Sequence, residues 1–326
     1  MNDNLKEAIE KASASFRFND LIAAREQLTA RYRDPERHGY AQLFMDTDLH
    51  RMAYVIARMP ATYAIIKRVL EEVKLRMPDL VIDSTLDLGA GPGTAMWAAA
   101  DVFPDINTFT MVEQDSALIK LGKQLAENKG FWKYGSMSTQ TFEKHDLVII
   151  SYAIGELTPA DQEIVIKKAW EAAGKVVVVI EPGTIPGFQC IRSARQALLD
   201  KGAHAIAPCP HNKACPMPSN DWCHFSERIE RTVGQKRLKS ASLGYEDEKY
   251  SYITCGRESI ALPEARILRH PQKHTGHIKF ELCKDVGLKN ETISKRDGAL
   301  YKLARKLEWG DTLTKYLEQT DEGHSL

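Results

Sequence analysis

The chain has 326 residues, and its 44 basic and 44 acidic side chains give a formal net charge of zero at pH 7. Hydrophobic residues make up 43% and charged residues 27%, which is the profile of a soluble globular protein. No apolar run approaches the ~20 residues that a membrane span needs, which argues against a membrane partner, and a neutral charge balance alone argues against a nucleic-acid partner.

Residues 1–80 predict an N-terminal helical subdomain, because apolar residues recur there at three- and four-residue spacing. The segment begins with a stretch that has no apolar core and that includes Asp3, Glu7 and Glu10. Signal peptides need an apolar core, and transit peptides are poor in acidic residues. We therefore expect a cytoplasmic protein of the bacterial type.

Residues 81–202 predict a Rossmann-like core. Short apolar strands at VIDSTLDLG, NTFTMVE, HDLVIISY and KVVVVIEPG alternate with helical segments, a pattern typical of a parallel sheet covered on both faces. Residues 203–248 are rich in Pro, Cys and His and predict a metal-binding insertion. Residues 249–326 predict strands that complete the sheet, together with a basic segment. The expected fold class is therefore α/β.

A glycine-rich loop joins the first predicted strand of this core to its first helix. The loop reads LDLGAGPGT, residues 86–94, and its glycines let the backbone turn tightly and approach a ligand closely. It is not a Walker loop, because no Gly-Lys-Ser/Thr follows. It resembles motif I of class I S-adenosylmethionine-dependent methyltransferases. That resemblance implies that S-adenosylmethionine is bound at Asp87, Gly89, Gly91 and Gly93.

The ends of the next strands supply further candidates. Methyltransferases of this class carry an acidic residue at the end of the second strand for the ribose hydroxyls of the cofactor, and Glu113 falls there, with Asp115 as its competitor. Ser151 ends the HDLVIISY strand and is a further expected cofactor contact. Tyr152 and Glu156 follow it and are the candidates for catalysis, although this corner lacks the Pro-Pro pair of amino-methylating enzymes. The sequence leaves open whether methyl transfer occurs.

Three of the six cysteines, Cys209, Cys215 and Cys223, fall within fifteen residues. In a cytosolic chain such a cluster indicates metal binding rather than disulfides. Four thiolates suit either tetrahedral Zn²⁺ or an iron–sulfur cluster, and the spacing does not decide between them. The spacing also leaves the fourth ligand open among Cys283, Cys255, His204, His211, His224 and His277.

The cysteines lie within a long and unusual string, EPGTIPGFQCIRSARQALL followed by APCPHNKACPM and DWCHFSERIERT. This string resembles the methyltransferase-like protein 17 family of ribosomal small-subunit proteins, with its yeast mitoribosomal counterpart and bacterial homologues. The resemblance runs from the glycine-rich loop to about Asp311. It implies a small-subunit assembly factor that holds a [4Fe–4S] cluster, with zinc as the alternative. The implied ligands are Cys209, Cys215, Cys223 and Cys283.

Basic residues gather in the back half of the chain. Residues 181–310 sum to about +7, whereas residues 1–180 sum to about −4 and residues 311–326 to about −3. Basic groups can follow RNA phosphates, and aromatic rings can stack on bases. We therefore predict RNA contact on one face within residues 204–310. Its candidate side chains are Lys236, Arg237, Lys239, Lys295, Arg296, Lys302, Arg305 and Lys306.

Two functions compete on these observations. The first is an S-adenosylmethionine-dependent methyltransferase-like protein that acts on the rRNA of the small ribosomal subunit, in ribosome assembly or translation. The second is a non-catalytic iron–sulfur assembly factor that binds rRNA and keeps the methyltransferase fold as a scaffold. A third hypothesis makes the cluster a redox or iron sensor for assembly. In each case we expect a monomer whose partner is the small ribosomal subunit.

Overall fold

The computed structural model describes residues 1–33 and 45–313. Its helices are α1 Asp3–Ser13, α2 Phe18–Arg33, α3 Asp48–Arg76, α4 Thr94–Val102, α5 Ser116–Leu125, α6 Pro159–Ala172, α7 Ile185–Leu199, α8 Val233–Leu238 and α9 Ala299–Ala304. Its strands are β1 Ser84–Leu88, β2 Thr108–Glu113, β3 Phe131–Tyr134, β4 His145–Ser151, β5 Ala173–Pro182, β6 His204–Ala207, β7 Phe225–Glu230, β8 Tyr245–Gly256, β9 Ala265–Ile267, β10 Gln272–His274, β11 His277–Lys284, β12 Gly287–Ser294 and β13 Thr312–Leu313. Short 3-10 turns occur at Ile154–Glu156 and Lys295–Asp297.

The main sheet has the strand order β3-β2-β1-β4-β5-β8-β6, with β7 also paired to β8. Strands β1 to β5 are parallel to one another, whereas β8 runs antiparallel to β5, β6 and β7. An open parallel sheet that ends in one antiparallel strand before its last member is the topology of class I methyltransferases. The order therefore confirms the predicted α/β, Rossmann-like methyltransferase fold.

Helices cover both faces of this sheet, because its central strands are apolar on both sides. Ile149 of β4 and Val178 of β5 pack into one cluster with the N-terminal helices and α4. Val148 and Val177, their neighbours along the strands, pack into the other cluster with α6 and α7. All four side chains are fully buried. The N-terminal helices therefore form part of a helical layer of the sheet and share its core.

Two short strands, β6 and β7, form one edge of the main sheet, and a loop lies between them. At Tyr250, β8 pairs with Pro182 of β5 on one side and with Phe225 of β7 on the other. Strand β6 pairs with residues 254–256 of β8, so β6 and β7 follow one another along the same edge. Residues 208–224 leave this edge between them. We call this segment the cysteine loop.

The C-terminal strands form a second sheet, in the order β10-β11-β9-β13 with β12 beside β11. Its core contains Ile267, Phe280 and Ala304. The structure thus differs from the predicted division in two ways. Of the strands expected to complete the main sheet after residue 249, only β8 does so, and the stretch 203–248 contributes β6 and β7 to that sheet.

Parts of two predicted domains lie outside the described residues, namely 34–44 of the N-terminal subdomain and 314–326 of the C-terminal one. Within the described ranges, the structure has no helix that combines the length and the apolar character needed to cross a membrane.

Candidate functional site

The glycine loop turns from β1 into α4 through three residues with positive φ. Gly89, Gly91 and Gly93 have φ of +74°, +54° and +83°, a region that side chains other than glycine rarely adopt. A Cβ on Gly89 would lie 2.5 Å from the Cβ of Ala153, whereas a Cβ on Gly91 would meet no atom within 4 Å. The backbone at Gly91 therefore borders open space into which a ligand can fit closely.

Glu113 and Asp115, the two acidic candidates after β2, have different roles. Glu113 Oε2 accepts a hydrogen bond of 2.8 Å from Gly91 N, so its carboxylate lies against the glycine loop. Asp115 is the N-cap of α5, where Oδ1 accepts from the first backbone N–H groups of the helix. Its Oδ2 accepts from Arg51 Nε at 2.9 Å. Both residues line the same cavity, but Glu113 hydrogen-bonds the glycine loop whereas Asp115 caps α5.

A cavity of about 290 Å³ opens above these residues, at the carboxyl ends of the parallel strands, which is where open α/β sheets bind ligands. Of the six predicted cofactor residues, Gly89, Gly91, Glu113 and Ser151 line it. Gly93 and Asp87 do not. Asp87 lies beneath, with both carboxylate oxygens buried and without hydrogen-bond partners among the described residues. Burial, and secondly the charge of Glu113, raises its pKa to about 8.

Several further lining residues do not follow from the motif. Ser136 and Met137 come from the segment after β3, and Tyr54 comes from α3 on the opposite wall. Strand β3 is a four-residue edge strand whose side chains are largely exposed, so it lacks the apolar alternation that identifies a half-buried strand. The aromatic run FWKY before Gly135 is the signal that could have revealed it.

The corner after β4 holds the two catalytic candidates, both of which line the cavity. Tyr152 has φ of +56°, and its hydroxyl is buried without a hydrogen-bond partner among the described residues. Burial raises the pKa of Tyr152 well above 10. Glu156 is exposed as a residue, but desolvation of its carboxyl by the surrounding protein, and then the charge of Glu113, raise its pKa to about 7.

Glu181 of β5 holds this corner in shape. Its Oε1 accepts hydrogen bonds from the backbone N–H groups of Ile154 at 3.0 Å and Gly155 at 3.3 Å. Desolvation raises the pKa of this buried carboxyl to about 7, against the lowering effect of the backbone donors. Glu181 therefore shapes the turn and points its bonding oxygen at backbone, away from a substrate role.

The cysteine loop brings three thiols to one place, and β11 adds the fourth. Cys209, Cys215, Cys223 and Cys283 all line one cavity of about 40 Å³. Burial raises the pKa of the Cys283 thiol to about 12, and it raises the pKa values of Cys209 and Cys223 as well. In residues 1–33 and 45–313, however, no three His, Cys, Asp or Glu side chains are arranged to hold one metal ion.

None of the other candidates for the fourth ligand lines this cavity, although His211 lies beside Cys283. His211 Nε2 lies 3.5 Å from Cys283 Sγ. Cys255 is buried in the core between the sheet and α7, His224 stacks on Trp222 with ring centroids 4.8 Å apart, and His277 stacks on His274. His204 pairs with Gly256 in the main sheet.

The basic candidates fall into two separate groups. Lys236, Arg237 and Lys239 lie in α8 and its C-cap, against the N-terminal helices. There Arg237 lies over the Phe18 ring at 4.2 Å, and Lys239 Nζ contacts both carboxylate oxygens of Glu246 at 2.9 and 2.7 Å. The other group lies beside the second sheet, exposed and without ion pairs among the described residues. It comprises Lys295, Arg296, Lys302, Arg305 and Lys306.

The profile of a family described as "Mitochondrial small ribosomal subunit Rsm22" matches residues 48–314. The human "Ribosome assembly protein METTL17, mitochondrial" is 25% identical over 290 residues, which cover 80% of this chain and 62% of that protein. The "Rsm22-cox11 tandem protein 2, mitochondrial" of Schizosaccharomyces pombe is 26% identical over 378 residues, covering 95% of this chain and 49% of that protein. The chain thus spans about half to three fifths of the length of these relatives.

Solved structures of methyltransferases are also similar. The magnesium protoporphyrin IX methyltransferase ChlM of Synechocystis PCC 6803 is 10% identical with a TM-score of 0.41, over 73% of this chain and 100% of that one. The plantazolicin methyltransferase BpumL is 11% identical with a TM-score of 0.41, over 74% of this chain and 98% of that one.

The named relatives correct one prediction. They are mitochondrial proteins, and the matching family is described as mitochondrial. The cytoplasmic location predicted from the sequence is therefore wrong, and the relatives point to mitochondria. The prediction rested on the composition of the N-terminal stretch alone. That composition does not show in which compartment the protein acts.

Proposed function

The chain belongs to the Rsm22 family of mitochondrial small ribosomal subunit proteins, since the family profile matches 48–314, and from this membership we propose that it acts on the small ribosomal subunit during assembly. We propose that it does so as an S-adenosylmethionine-binding, methyltransferase-like protein that contacts rRNA. The observation that carries the proposal is the open space at Gly91 beside the carboxylate of Glu113, at the mouth of a ligand-sized cavity.

The residues that line the cavity suit S-adenosylmethionine. Glu113 supplies the carboxylate for the ribose hydroxyls, and Gly89 and Gly91 supply a backbone without side chains where the ligand lies closest. Ser151 and Met137 line the adjoining walls. The bound cofactor supplies an electrophilic methyl group. Calorimetry with S-adenosylmethionine tests this proposal, and an absence of binding by the metal-replete protein would refute it.

We propose that the cysteine loop and β11 together hold a [4Fe–4S] cluster. Support comes from four soft thiol donors around one cavity, and such clusters take one Cys thiolate on each iron. Zinc is the alternative, with four thiolates at about 2.3 Å from a single ion. Iron, sulfide and zinc analysis of anaerobically purified protein, with a visible spectrum, decides between them. Zinc without sulfide would refute the cluster.

A non-catalytic assembly factor is the second candidate, and the corner after β4 favours it. That corner reads Ser-Tyr-Ala-Ile-Gly-Glu, without Pro-Pro, and Glu181 is engaged with backbone N–H groups. Comparison of rRNA modification in a deletion strain and in wild type separates the two candidates. A methyl mark that is lost on deletion and restored by the wild-type chain, but not by Gly91→Arg, would refute the scaffold role.

A further inference from the structure

Arg195 of α7 is a buried cation at the cysteine site. Only 3% of the residue is exposed. A buried charge without a partner of opposite charge is costly, so its surroundings need an explanation. It lines the cavity shared by the four cysteines. Among the described residues no carboxylate pairs with it. Two nearby arginines do have carboxylate partners. Arg266, which also lines the cavity, contacts Glu72, and Arg269 contacts Asp221.

The guanidinium of Arg195 is directed at the cysteine loop. Its Nη2 donates hydrogen bonds to the backbone oxygens of His211 at 2.9 Å and Lys213 at 2.8 Å, and it lies 3.5 Å from His211 Nδ1. Its Nε donates to Cys209 Sγ at 3.2 Å. Its Nη1 is buried and has no hydrogen-bond partner in the described part of the chain. One donor group is thus left over at a site lined with sulfur.

We propose that Arg195 is a positioning residue for the iron–sulfur cluster: Nε fixes the Cys209 thiolate, Nη1 is the donor kept for a sulfur of the bound group, and the guanidinium charge offsets the negative charge of the thiolates. This inference rests on the proposed cluster. A [4Fe–4S] cluster with four thiolates carries net negative charge, and its potential depends on charge and on hydrogen bonds to the sulfurs. Arg195 therefore favours the reduced state and slows cluster loss.

The test compares Arg195→Gln and Arg195→Lys with Lys201→Gln in the full chain, purified anaerobically. Lys201 is the matched control, since it is an exposed cation two residues after the end of α7 that does not line the cysteine cavity. Each protein is titrated with dithionite to obtain the midpoint potential of its one-electron reduction. The loss of visible absorbance under a chelator gives the rate of cluster release.

We expect Arg195→Gln to shift the reduction equilibrium about tenfold toward the oxidised state, which is 59 mV for one electron, and to release the cluster several-fold faster. Arg195→Lys keeps the positive charge but loses the guanidinium hydrogen bonds. Its potential should therefore lie between those of wild type and Arg195→Gln, and its cluster should be released as fast as that of Arg195→Gln. Lys201→Gln should match wild type. If Arg195→Gln does not fold, Arg195→Lys alone is compared with wild type.

Unchanged potential and release rate in the Arg195 variants would overturn the inference, and so would equal changes in Lys201→Gln. Wild-type protein without iron and sulfide would instead refute the proposed cluster itself. The metal content of the wild type thus distinguishes the two failures before any variant is measured.

Discussion

Arg266 Nη2 donates a hydrogen bond of 2.8 Å to Oε1 of Glu72, and both residues are buried. The same guanidinium donates from Nε to the backbone oxygen of Pro208 at 2.8 Å and from Nη1 to that of Gly310 at 2.6 Å. One side chain on β9 therefore joins helix α3, the start of the cysteine loop and the last described loop of the chain.

We expect Arg266→Met to destabilise the protein by about 3–5 kcal/mol, because it removes the closer partner of the buried Glu72 carboxylate and leaves it only the longer contact with Arg76, at 3.4 Å. Urea unfolding measures the change. The double variant Glu72→Met, Arg266→Met should recover much of the loss, since replacing both charges by apolar groups is often neutral. A double variant as unstable as the sum of the single variants would show that the pair itself contributes little.

Gly91→Arg should lower the affinity for S-adenosylmethionine by about 100-fold or more, roughly 3 kcal/mol, because the new side chain extends into the open cavity. Calorimetry measures the affinity. Gly202→Arg is the matched control, because Gly202 also has positive φ, of +80°, and open space around its Cβ position, but lies after α7 and away from the cavity. Equal losses in both variants would assign the effect to backbone strain.

Gly122 lies inside α5, where alanine ordinarily stabilises a helix by about 1 kcal/mol. Here a Cβ would lie 2.8 Å from Cζ2 of Trp132, with other atoms of the ring closer or at similar distance. We expect Gly122→Ala to be destabilising by about 1–2 kcal/mol, since overpacking outweighs helix propensity. In a Trp132→Leu background the same substitution should be neutral or stabilising. Thermal or urea unfolding of the four proteins tests this reversal.

The glycine loop shows where sequence reasoning succeeds. A glycine loop after an apolar strand has a local pattern, so the loop, the parallel strands and Glu113 could be predicted from the chain alone. The two acidic candidates after β2 could also be told apart, because Asp115 stands directly before a helix, at a position where an N-cap aspartate is favoured.

The remaining features depend on pairing between distant segments. Strand β3 is too short and too exposed to show an apolar period. Strands β6 and β7 are two halves of one sheet edge separated by the cysteine loop, so neither half resembles a strand by itself. The pairing of Lys239 with Glu246 is more local, but it depends on the turn that joins α8 to β8, which charge counting cannot detect.

Glu181→Gln should change the pH dependence of stability. The pKa of Glu181 is about 7 in the folded chain, against 4.5 ordinarily. Between these values the folded state holds more protons than the unfolded state, so stability falls as pH rises through this window. The variant keeps the bonding oxygen but not the charge, and its advantage should grow to about 2–3 kcal/mol at pH 7.5.

Urea unfolding between pH 4.5 and 8 measures this difference. Glu163→Gln, on the exposed side of α6, should follow the wild-type curve. A constant offset between Glu181→Gln and wild type at every pH would contradict the expected linkage.

The two basic groups should differ in RNA binding. Replacing Lys302 and Lys306 by Gln should weaken binding of a small-subunit rRNA fragment and reduce the slope of log affinity against log salt by about 0.7–0.9 for each lost phosphate contact. Lys239→Gln should leave both unchanged, because that ammonium is paired with Glu246. Filter binding at several salt concentrations measures the slopes, and an effect of Lys239→Gln alone would contradict the assignment.

Cys283 belongs to the second sheet, whereas the other three thiols belong to a loop of the main sheet about 60 residues earlier. During synthesis the first three thiols therefore leave the ribosome well before the fourth, and the set is complete only once β11 has formed. A group that needs all four thiols would therefore be bound only after β11 has been synthesised. A chain that stops before Cys283 would lack the fourth thiol.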